Sequence, residues 1–152
     1  KMRSILLLVH LAGVIVWVGG MFFAHFCLRP EAAAQLQPPQ RLPLLAGVLG
    51  RFFSSVAVAV GAILISGFGL ILSVGMAHAP WPWHLMLTSG LVMSGIFIYI
   101  YGVLFQRLRA GVAAQDWPTA GAEMNRIRPL VAFNLLLGTL TVAVAILGPM
   151  FA

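Results

Sequence analysis

Three tracts of this chain contain no Lys, Arg, Asp or Glu: Ser4 to Leu28, Phe52 to Gln106, and Pro129 to Ala152. A hydrocarbon layer of about 30 Å is crossed by roughly 20 apolar helical residues. The first and third tracts therefore hold one span each, and the middle one holds two. Hydrophobic residues make up 61% of the chain and charged ones 8%, with a mean hydropathy of +1.03, which places it outside the soluble classes. The middle tract divides at Ala77-His78-Ala79-Pro80-Trp81-Pro82-Trp83, where two prolines stop one helix and start another. The expectation is an all-α membrane protein: one domain over 1–152, a four-helix transmembrane bundle of helices near 4–28, 44–76, 83–110 and 118–151, with both termini on the same side. Asp116 is a good N-cap for the fourth helix, Pro43 suits an early turn of the second, and Pro129 predicts a kink or break in the fourth.

Positive charge is uneven. Lys1 and Arg3 lie on the side of the termini and the middle loop. Arg29, Arg41, Arg51, Arg107, Arg109, Arg126 and Arg128 lie on the other. The positive-inside rule puts both long loops in the cytoplasm and the termini outside, in a multi-pass protein of a bacterial-type inner (plasma) membrane. The formal charge of +6 then reflects topology and contact with membrane lipid, not nucleic acid. The first apolar run is too long for a signal-peptide core and is expected to stay in the mature protein. One cysteine, Cys27, allows no internal disulfide or thiolate cluster. No nucleophile triad, phosphate loop or acidic residue within a span points to hydrolysis or proton coupling.

The candidate chemistry starts at His10, six residues into the first tract, because an ionisable group at that depth needs a partner. His10, Gly13, Trp17, Gly20 and Ala24 share one helix face. That face suits either close packing of a neighbouring helix or a flat cofactor. His84 stands near the start of the third helix on the same side, with Thr88, Leu91 and Gly95 continuing its face. Two imidazoles at similar depth on different helices are what a bis-histidine b-type heme requires. His10 and His84 are thus the expected axial ligands, with Gly13, Trp17, Gly20, Thr88 and Gly95 lining the heme. His84 also reads as an interfacial residue beside Trp81 and Trp83, and donors for heme propionates are scarce on that side.

His25 lies 15 residues beyond His10, about 22 Å along the axis, so the two cannot share one metal. It reads as an interfacial residue or a second site. His78 could replace His84. A second chemistry comes from Met76, His78, His84 and Met86, a thioether and imidazole set whose softness suits copper(I). Copper conduction would need polar groups through the membrane, and between His10 and His25 only hydroxyls, Asn134 and glycine backbone are available. A third reading makes the chain a structural subunit with incidental histidines.

HLAGVIVWVGGMFF from His10 resembles the first-helix signature of the CopD-like membrane family, a histidine followed seven residues later by Trp and a small pair. WPWHLMLTSGLVM from Trp81, Arg51-Phe52 before the second helix, and Arg126 with Arg128 before the fourth extend the resemblance over most of the chain. It implies a link to copper uptake or, through the related HemJ proteins, heme binding and protoporphyrinogen oxidation, with His10 as the first-helix ligand and Trp17 and Gly19-Gly20 around it. The third helix departs from the HemJ pattern: Met86 or Leu87 stands where that pattern has a lysine, and no span contains one, so a dicarboxylate substrate has no basic partner. The expected function is single-electron transfer through heme b, linked to a quinone or quinol or another redox partner, in a chain able to form a homo-oligomer. Copper binding or transport, and a HemJ-like protoporphyrinogen oxidase, are the alternatives.

Overall fold

A computed structural model describes residues 1–151 and contains four helices long and apolar enough to cross a membrane: α1 (Met2–Gln35), α2 (Pro38–Val74), α3 (Trp81–Ala113) and α4 (Trp117–Phe151). Among the described residues there is no strand. The expected all-α, four-span class is what the chain adopts, but the helices are longer than the charge-free tracts. α1 runs on from Leu28 to Gln35, and α2 begins at Pro38 rather than 44. Charge-free length marks what lipid can cover, not where helical hydrogen bonding ends. At 1.5 Å per residue the 37 residues of α2 span about 55 Å, so its first turns project beyond the apolar layer.

Local chemistry sets the ends. Gln37 is extended and Pro38 and Pro39 open α2, where missing N–H groups cost nothing. Gly75, at φ +86°, closes it with a left-handed residue that favours glycine. The α3–α4 turn passes Gln115 at φ 55°. Asp116 then caps α4, its carboxylate accepting from Thr119 N–H at 3.3 Å and from Thr119 Oγ1 at 2.7 Å. α4 stays α-helical through Pro129 to Leu147, so the break expected there is absent.

α1 lies antiparallel along α2, and α3 along α4, while α1 and α3 stand diagonally across the bundle. The α1–α2 register follows from glycines. A Cβ on Gly13 would lie 2.7 Å from Cγ1 of Ile63, one on Gly69 would lie 3.2 Å from Leu6, and one on Gly20 would run into the Phe52 ring. Small residues bring the backbones close, which is how helices associate in lipid without a hydrophobic driving force. The core is densest toward the arginine-rich end, where Phe53 stacks edge-on against Phe97 and Phe105, and Trp17 edge-on against Phe97. Arg3 sits 5.8 Å from the Trp83 ring, and a Cβ on Gly148 would meet Pro82 and Trp81. The two termini and the α2–α3 loop therefore gather at one end of the bundle.

Candidate functional site

His10 faces α2. Its Nδ1 lies 3.2 Å from the Ile63 carbonyl oxygen and 3.2 Å from Ser66 Oγ. The Ser66 hydroxyl is 2.5 Å from the Ala62 carbonyl, to which it donates. A carbonyl only accepts, so the hydrogen bond to Ile63 is one that Nδ1–H donates, and Ser66 Oγ, itself 3.2 Å from the same carbonyl, is a second polar neighbour. In a neutral imidazole this contact leaves the lone pair on Nε2, which has no hydrogen-bond partner among the described residues. Metal-binding histidines are oriented in this way, one ring nitrogen tied to a carbonyl and the other free to ligate. Ser66 is 1% exposed, and a Cβ on Gly67 would lie 3.4 Å from His10 Cε1. Gly67 thus borders the ring at van der Waals distance.

The rest of the expected first-helix face is taken by protein. Gly13 and Gly20 receive Ile63, Ala59 and Phe52 of α2, and Trp17 is buried against Phe97. On α3, Thr88, Leu91 and Gly95 are exposed on the outer face, and a Cβ on Gly95 would touch nothing. Thr88 Oγ1 donates to the carbonyl of His84 in the preceding turn. The residues expected to sandwich a porphyrin thus point in different directions: the α1 set into α2, the α3 set toward lipid. Height differs as well. Arg3 reaches Trp83, the neighbour of His84, while His10 lies seven residues deeper along α1, about 10 Å. The side chains as packed do not form a slot for a heme between α1 and α3.

His78 is exposed in the turn Met76–His78, beside Gly75, and His84 and Met86 are half-buried one turn into α3. These four thioether and imidazole side chains therefore lie at the end that carries the termini, with His10 below them. His25 is at the far end of α1, in a π-helical turn, its ring edge-on to Phe26 at 4.9 Å. Among the described residues no three His, Cys, Asp or Glu side chains gather as a metal-binding group.

Composition did not single out the polar groups that join α3 to α4. Asn134, 1% exposed, donates from Nδ2 to the Met93 carbonyl at 3.1 Å, and its Oδ1 is unpartnered. Thr141 Oγ1 is 2.8 Å from Ser89 Oγ. The signal was present as polar residues in an apolar tract, but only packing pairs them. Glu123 is 7% exposed and pairs with Arg126 at 3.5 Å.

Comparison with curated proteins and with solved structures finds no match for this chain. Comparison with known families finds one over residues 46–147, 102 of the 152 residues, described as copper resistance protein D. That region covers most of α2, α3 and most of α4, including the Met76 to Met86 loop. This copper-resistance-related membrane protein of four apolar helices belongs to the CopD family.

Proposed function

We propose that the chain handles copper(I) in the membrane, receiving the ion as cargo at the end that carries both termini. The observation that carries this reading is the match to the copper resistance family over two thirds of the chain. Met76, His78, His84 and Met86 supply soft and borderline ligands at that end, where cuprous ion is preferred over harder cations. His10 supplies a free Nε2 below them, its other nitrogen tied to Ile63. The two levels make a surface capture set and one intramembrane ligand. By the positive-inside rule that end faces outward from the cytoplasm of an inner membrane.

The test is a competitive titration of the detergent-purified chain with a chromogenic copper(I) chelator, with metal analysis of the same sample. His10→Ala is expected to weaken retained copper at least about tenfold, as loss of a ligand or of its support does. Met76→Ala with His78→Ala is expected to slow loading while leaving the retained copper near wild type. A wild-type chain that takes up no copper sinks the reading.

A second reading rests on the same Nε2, which would equally serve as an axial ligand to heme iron in an electron-transfer role. The outward-facing Thr88 and Gly95 weigh against His84 as its partner. A reduced-minus-oxidised spectrum with a sharp α band and about one heme per chain would restore it.

A further inference from the structure

Seven arginines crowd the end of the bundle opposite the termini, and three of them, from three different helices, line one cavity. Arg29 of α1, Arg41 of α2 and Arg128 of α4 surround a space of about 190 Å³, with Asn125 beside them and Leu42 and Met124 forming an apolar wall. None of the three has a carboxylate partner. Among the described residues the one ion pair joins Arg126 to Glu123, Glu31 accepts from Gln35, and Asp116 is used in capping α4. Arg128 Nη1 is 3.5 Å from Asn125 Oδ1 and Arg41 Nη1 is 3.4 Å from the Leu36 carbonyl. Arg29 Nε is buried and has no hydrogen-bond partner.

Lipid-facing arginines that only set topology would spread around the rim, where water and many headgroups solvate them. Here like charges converge, and a buried N–H donor is left without an acceptor, an arrangement that costs free energy unless an anion fills it. Guanidinium forks match the oxygen geometry of phosphate. The space is smaller than the roughly 300–1,000 Å³ of sites that enclose a whole small molecule, which suits a headgroup-sized anion. We infer that the Arg29, Arg41 and Arg128 cavity binds a phosphate oxyanion, supplied either by an anionic phospholipid headgroup or as free phosphate. The site is independent of the copper reading, since it lies at the opposite end of the bundle and shares no residue with it.

The full chain in a neutral detergent is titrated with phosphatidylglycerol, with phosphatidylcholine as the zwitterionic control, and bound lipid is counted by native mass spectrometry. In parallel, its melting midpoint is followed with inorganic phosphate against chloride at equal ionic strength. Wild type should retain phosphatidylglycerol at least about tenfold better than the triple variant Arg29→Gln, Arg41→Gln, Arg128→Gln, whereas Arg107→Gln with Arg109→Gln, outside the cavity, should stay within about twofold of wild type. Stabilisation by inorganic phosphate that the triple variant loses, without a preference for phosphatidylglycerol, assigns the site to free phosphate. If the glutamine variant does not fold, the triple Arg→Lys variant decides, because it keeps the charge and removes the fork: a lost phosphate or headgroup preference supports the site. Equal binding by wild type and the folded triple variant, or equal retention of both lipids with no phosphate effect, overturns it.

Discussion

At the scale of single residues, His10 gains its meaning from three groups on α2. The Ile63 carbonyl accepts from Nδ1, Ser66 adds a second polar neighbour, and Gly67 borders the ring at van der Waals distance. Ser66→Ala keeps the carbonyl contact and removes only the hydroxyl, so copper affinity should fall about tenfold or less, read by the same chelator titration. Gly20 is constrained more severely, because any side chain there enters the Phe52 ring. Gly20→Leu should lower stability by about 1–3 kcal/mol through overpacking, seen as a drop in melting midpoint in detergent. That His10 needs a partner was evident from an ionisable residue in an apolar run. That the partner is backbone carbonyl and serine was not, because any carbonyl in an apolar helix looks alike until a neighbour opens a path to it. The Gly13 and Gly20 face was ambiguous for the same reason: close helix packing and a cofactor slot ask for the same small residues.

At the scale of elements, the helices continue past the charges that bounded the apolar tracts. α1 passes through Arg29 and Pro30 because the chain is π-helical over Phe23–Leu28, with Arg29 N–H bonded to the Ala24 carbonyl. The ladder is already shifted where proline contributes no donor, so the helix bends its bonding pattern without ending. The start of α4 follows local rules, and Asp116 is the capping residue its sequence context predicted. Asp116→Ala should cost about 1 kcal/mol, measured as a lower melting midpoint with copper retention unchanged. Caps and proline starts are decided within four residues and so can be read locally. The pairing of Asn134 with Met93 spans 41 positions and cannot.

At the scale of the whole molecule, seven of nine basic residues lie at one end of four spans, and the positive-inside rule predicts that end to be cytoplasmic. In a Cys27→Ser background, Ala79→Cys should react with a membrane-impermeant maleimide in intact cells, and Gln115→Cys should react only after the membrane is opened. The reverse pattern would place the proposed copper ligands on the cytoplasmic side. Segment number, helix type, the division at the His78 to Trp83 loop and the family were all determined by sequence alone. Each depends on composition and on signals a few residues apart, which lipid and backbone hydrogen bonding read without reference to neighbours. Which helices touch was decided only by tertiary structure. Short connections pack α1 on α2 and α3 on α4 and leave α1 and α3 diagonal, so the α1 face bearing His10 closes on α2 instead of opening toward His84. The same packing brings Arg29, Arg41 and Arg128 together from positions up to 99 residues apart. A single helix carries information about its own face, and only the fold decides what that face meets.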